Sequence, residues 1–88
     1  MDFYNIKNKL QLYNYNLYKL TNNKFCITKN EHGTYDEFYD FAINIEIDIT
    51  TEIILHWDII QNNKNITNIF IKDNTTLSNL CDYLCNKK

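Results

Sequence analysis

Apolar and polar residues alternate most regularly in the middle of the chain. Phe41, Ile43, Ile45, Ile47 and Ile49 are interleaved with Ala42, Asn44, Glu46, Asp48 and Thr50. A period of two over that length predicts a half-buried strand, one face on a core and the other in water. Thr50-Thr51-Glu52 supplies a turn into Ile53-Ile54-Leu55-His56-Trp57-Asp58-Ile59-Ile60. That segment is apolar on both faces, which predicts a more central strand with Trp57 in the core, in phase with Ile53, Leu55 and Ile59. After a loop over Gln61–Asn65, Ile66–Ile71 reads as a third strand of the meander.

The flanks carry helical spacing. Phe3, Ile6, Leu10, Tyr13, Leu17 and Leu20 recur every three or four positions, one stripe of an amphipathic helix. From Tyr13 to Leu17 the residues also alternate, and Asn is poor in a helix interior. The expectation is helix to about residue 12, then a hairpin turning at Thr21-Asn22-Asn23 into Lys24–Thr28. Thr34 with Glu37 fits a capping box for a two-turn helix through Tyr35, Phe38, Tyr39 and Ala42, with a lead-in to the next strand as the alternative. Near the C-terminal end, Leu77, Leu80, Cys81 and Leu84 share a helical face, with capping side chains available over Asp73–Thr75. These elements give an α+β fold: an antiparallel sheet of three to five strands with N- and C-terminal helices packed on one face.

At 88 residues the chain has material for one domain, residues 1–88. No apolar run is long enough to span a bilayer, and Met1-Asp2-Phe3 does not open a signal peptide. A cytoplasmic location, in a bacterial host or an infected cell, is the expectation. Composition adds a source bias. Asn, Ile, Lys, Tyr and Phe account for 49 residues, while Arg, Pro and Val are absent and Gly occurs once. These preferences follow AT-rich codons, so the Asn count carries no function. The absence of Arg removes the bidentate forks typical of phosphate and base recognition.

Chemistry is sparse. A single Gly excludes the Gly-rich phosphate loops. His56 and Asp58 share a strand face but have apolar Ile54 and Ile60 beside them, as a structural histidine would. Three cysteines form no disulfide framework; Cys81 and Cys85, four apart, read as buried thiols rather than half a metal site. No catalytic residue, metal or cofactor is assigned, and the chain is read as a non-enzyme.

Charge is the feature that stands out. Residues 30–63 contain no Lys or Arg, yet hold Glu31, Asp36, Glu37, Asp40, Glu46, Asp48, Glu52 and Asp58. The net charge of −2 therefore hides an acidic middle between basic ends. One reading is a solvated acidic face. The other is a docking face made of Tyr35, Asp36, Glu37, Tyr39, Asp40, Glu46 and Asp48, with Glu46 and Asp48 about 6.6 Å apart on one side of a strand. Carboxylates steer a basic partner and aromatic rings anchor it. Basic partners are most often nucleic-acid-binding proteins, and direct binding of nucleic acid by this chain is not expected. The chain would act as a monomer or weak homodimer.

A short, AT-biased, acidic, single-domain α+β chain resembles the small phage-encoded anti-CRISPR proteins, several of which occupy the nucleic-acid channel of an effector nuclease with an acidic face. The resemblance is one of type, so no residue role transfers; it implies stoichiometric inhibition of a host effector. Leu55-His56-Trp57 is also similar to a tripeptide of starch-binding modules of glucan water dikinases. There Trp57 would be a sugar platform, although Asp58 stands where that pattern continues with Gly.

Overall fold

A computed structural model describes residues 2–29, 39–62 and 69–86. Helix α1 (Phe3–Gln11) leads into strands β1 (Tyr15–Lys19), β2 (Lys24–Lys29), β3 (Phe41–Ile47) and β4 (Ile54–Asn62), and helix α2 (Leu77–Asn86) follows. The four strands form one antiparallel sheet in the order β1-β2-β3-β4. Both terminal helices pack against the sheet, which is the α+β arrangement the periodicity predicts.

Local chemistry sets the ends of the elements. Asp2 caps α1 by accepting from the Asn5 backbone N–H at 3.2 Å. Asn14 then takes a left-handed conformation (φ 67°), so the chain leaves the helix and alternation takes over at Tyr15. Helix α2 is capped by Thr76, whose hydroxyl accepts from the Asn79 N–H at 3.2 Å. The cap therefore lies one residue beyond the expected Asp73–Thr75. That stretch forms a turn instead, with Thr75 N–H on the Lys72 carbonyl and Asn74 at φ 65°.

The core lies between one sheet face and the helices. Tyr15 and Leu17 of β1, Phe25 and Ile27 of β2, and Phe41, Ile43, Ile45 and Ile47 of β3 are buried there. Leu10 of α1 and Leu77, Leu80, Cys81, Leu84 and Cys85 of α2 close over them. Each fully buried large side chain contributes about 2–3 kcal/mol by leaving water. Tyr15 meets Phe41 edge-on at 6.3 Å, and the Lys29 ammonium lies 4.7 Å from the Tyr15 ring centre. Lys9 and Asp82 form an ion pair joining the two helices on the surface.

Strand β4 departs from expectation. Among the described strands it lies at the end of the sheet rather than in its middle. Glu46 pairs with His56 and Ile47 with Ile54, which leaves Leu55 as an extra residue. Ala42 pairs with Gln61 and Ile43 with Ile59, which leaves Ile60 extra. These two β-bulges shift the phase, so Ile54, Trp57 and Ile59 pack toward the core while Leu55 and Ile60 are 63% and 58% exposed. The run looked apolar on both faces because its phase slips twice. Trp57 is accordingly half-buried rather than enclosed, and it shares its side with Ile54, not with Leu55.

Three further expectations change. Of the third meander strand, residues 66–68 lie outside the described residues, and residues 69–71 are not a strand. Ile69 is nevertheless buried and Ile71 packs on the core. Thr76 instead makes an isolated bridge to Ile53 at the start of β4. The expected helix from Thr34 falls mostly outside the described residues, and its far end is not helical. Phe41 and Ala42 already belong to β3, as the lead-in alternative has it. Strand β3 stops at Ile47, and Ile49 is 65% exposed in the following turn.

Candidate partner-binding face

The sheet face away from the helices is built by the same alternation that fills the core. Cross-strand pairing places Tyr18, Cys26, Asn44 and Asp58 in one row across all four strands. Lys24, Glu46 and His56 form the row beside it. Asn16, Thr28, Ala42 and Gln61 form the row on the other side. Directly opposed side chains are about 4.5–5.5 Å apart at Cβ, but Thr28 and Ala42 are buried, so the accessible part of the face lies mainly in the other two rows.

The candidate residues fall differently on this surface. Glu46 sits within it, between Lys24 and His56, and its Oε2 accepts from the Asn23 side-chain amide at 3.5 Å. Around it lies a depression of about 240 Å³ walled by Leu20, Lys24, Asn44, Glu46, His56 and Asp58. Tyr39 reaches the same face. Electrostatic interaction with Tyr18, a hydrogen bond between the two phenols and burial push the Tyr39 phenol above its ordinary value. Asp40 is half-buried where the chain enters β3, its N–H donating to the Lys29 carbonyl at 2.9 Å. Tyr35, Asp36 and Glu37 lie outside the described residues.

Asp48 is placed differently from the expectation. It lies beyond the end of β3, so it does not share a strand side with Glu46. Its Oδ1 accepts from the N–H groups of Thr50 at 2.8 Å and Thr51 at 3.1 Å. Its backbone holds the same turn: N–H to the Ile53 carbonyl, and carbonyl from the Glu52 N–H at 2.7 Å. Glu52 takes φ 62°, an uncommon conformation for that residue. A strand rise of about 3.3 Å per residue puts Asp40 and Asp48 about 26 Å apart, so the described carboxylates of the run are spread along β3, its turn and β4 rather than gathered into one patch.

Two groups on this face were not among the candidates. Asp58 stands opposite Asn44 and diagonal to Glu46, and Tyr18 stands at the other end of Asp58's row. The bulge at Leu55 turns Ile54 to the core, and the His56 and Asp58 side chains are both exposed. The cue for Tyr18 is its alternation with buried Leu17, which marks it as outward once β1 is read as a strand.

The thiols divide. Cys81 and Cys85 line the buried side of α2, and the Cys85 Sγ is 3.8 Å from the Lys9 carbonyl oxygen. Burial, reinforced by Cys85, pushes the Cys81 thiol up to about 12. Cys26 is on the outer face and half-buried, its thiol raised by burial. Among the described residues no three His, Cys, Asp or Glu side chains converge as a metal ion requires. No helix among them is long and apolar enough to cross a membrane. Comparison with family models, curated proteins and solved structures finds no match for this chain.

Proposed function

We propose that this chain is a non-catalytic binding protein whose outer sheet face docks onto a basic, nucleic-acid-handling protein. It inhibits that protein by occupying the surface that otherwise holds phosphates; a CRISPR effector nuclease is the specific form suggested by the resemblance in type. One observation carries the reading. A 34-residue stretch with eight carboxylates and no cation runs through β3 and β4, and Glu46 and Asp58 stand on the outer face, with Tyr18 at the far end of Asp58's row. Carboxylates on that face raise the encounter rate with a basic groove, and the tyrosines supply contact area at low conformational cost.

The test uses purified basic nucleic-acid-binding proteins, CRISPR effectors among them, in a surface-binding assay across a salt series. Glu46→Gln with Asp58→Asn should slow association while leaving dissociation nearly unchanged. Wild-type affinity should fall as salt rises. Full affinity in the neutralised variant would make these carboxylates ordinary solvated surface.

A second reading rests on Trp57. It is only half-buried and borders an open groove of about 440 Å³ with Leu55, Ile71, Lys72, Asp73 and Asn74. An aromatic ring beside planar polar side chains suits stacking and hydrogen bonding to a sugar. Quenching of Trp57 fluorescence by maltooligosaccharides would favour this reading.

A further inference from the structure

We propose that the depression on the outer face receives one arginine side chain of the basic partner, its guanidinium bridging Glu46 and Asp58. The inference deepens the docking reading and rests on it. Strand register builds a square from β3 and β4. Glu46 stands opposite His56 and Asn44 opposite Asp58, so the two carboxylates occupy one diagonal and Asn44 and His56 the other. The register shifts fall outside this stretch, which keeps the square regular. Diagonal neighbours on paired strands are about 7–8 Å apart. Two N–H···O bonds of about 2.9 Å, with the width of one guanidinium between them, fill that span.

The corners favour arginine over lysine. The Glu46 Oε2 accepts from the Asn23 side-chain amide at 3.5 Å, which orients the carboxylate and leaves Oε1 for a ligand. Asn44, His56 and Asp58 are exposed. The Asn44 amide oxygen and an unprotonated ring nitrogen of His56 can each accept a further N–H. A guanidinium carries five donors in one plane and serves several corners at once, whereas an ammonium is a point charge on a flexible stem. Leu20, 56% exposed, borders the depression and offers apolar surface to the arginine stem. At about 240 Å³ the depression is smaller than the roughly 300–1,000 Å³ of small-molecule sites, and it suits a single side chain. Lys24 stands across Glu46 from His56. Lys24, Glu46 and Asp58 together leave one net negative charge, which one guanidinium cancels. The chain itself contains no Arg, so the occupant belongs to another molecule.

The probes are three peptides that alternate glycine with arginine, lysine or citrulline, the last keeping arginine's planar shape without its charge. Each is titrated into the full chain and followed by NMR of the backbone and side-chain amides. The arginine peptide should move the signals of Asn44, Glu46, His56 and Asp58 most. It should bind about threefold more tightly than the lysine peptide, the scale of an exposed bridge, and the citrulline peptide should not bind. At that size the bridge is small beside the steering that sets the association rate. Steering acts on both charged peptides alike, so Glu46→Gln or Asp58→Asn should weaken both and bring their ratio to about one. Thermal melts check that the variants fold, and the peptide series on wild-type protein decides the matter without them. Equal affinity for arginine and lysine overturns this inference and leaves the docking face standing. So do shifts centred away from the square, or citrulline binding as tightly as arginine. Shifts at the square on concentrating the chain alone also overturn it, since a lysine of a second copy would then be the occupant. Binding of neither charged peptide removes the docking reading as well.

Discussion

Asp48 gives the sharpest test of how the β3–β4 connection is held. Its carboxylate accepts the Thr50 and Thr51 N–H groups at 2.8 and 3.1 Å, in an exposed turn. Asp48→Ala removes the oxygen that accepts both bonds but leaves the two N–H groups free to bind water. The loss is therefore the net value of two hydrogen bonds, about 1–2 kcal/mol, rather than a burial penalty. In a domain of this size that lowers Tm by about 5–15 °C. Asp48→Asn keeps a side-chain oxygen in place and should melt within a few degrees of wild type. Circular-dichroism melts and urea titrations of the three proteins decide the matter. An Ala variant as stable as wild type would refute the reasoning. So would an Asn variant as unstable as Ala, because the charge and not the acceptor would then matter. If the carboxylate serves the turn, Asp48→Asn also leaves partner affinity unchanged, whereas Glu46→Gln lowers it.

Three further outcomes follow from the core and the groove. Leu10→Ala, at a side chain with no exposure, should cost about 2–5 kcal/mol in urea unfolding. The native Cys81 thiol holds its proton up to about pH 12, whereas the unfolded thiol releases it near its ordinary value of 9. Its contribution is therefore complete below about pH 9 and is lost as pH rises toward 12, at up to about 1.4 kcal/mol per pH unit. Chemical denaturation over that range should show a shallower decline for Cys81→Ala than for wild type. Half-buried Trp57 should be quenched by acrylamide to a degree between that of native proteins with enclosed tryptophans and that of the unfolded chain; quenching as weak as in an enclosed site would contradict its place at the groove.

Strand β3 was legible because alternation over Phe41–Ile47 admits one reading, and the helix stripe at the C-terminal end was equally plain. The limits of the sequence lie where two periodicities overlap or a phase slips. Tyr13–Leu17 satisfies both helix and strand spacing, and the choice is made by Asn14 in a left-handed conformation, a backbone event with no hydrophobic signature. Residues 54–60 read as doubly buried because a bulge cannot be seen in a hydrophobicity pattern: Leu55 and Ile60 look like any other apolar positions. Ile69 and Ile71 were correctly apolar but misassigned, since core contact does not require a strand. For the candidate face, composition identified the acidic stretch. Its distribution depended on where β3 ends, and Asp48 ends it through bonds to its own turn. Asp58 and Tyr18 became neighbours of the other face residues only through strand order and register.

The contact between α1 and α2 has a kinetic consequence. Lys9 and Asp82 are separated by 73 positions, whereas Tyr18 and Cys26 pair across a short hairpin. Chain-closure entropy makes the first encounter costlier than the second by about 2 kcal/mol. The sheet can zip hairpin by hairpin, while the helix pair gathers residues from opposite ends of the sequence. Helix docking therefore belongs after the rate-limiting barrier. Truncating Leu10 or Leu84 should speed unfolding and leave the refolding rate nearly unchanged. The time the molecule spends folded is set at the seam between its two helices, and the speed with which it first folds is set in the sheet.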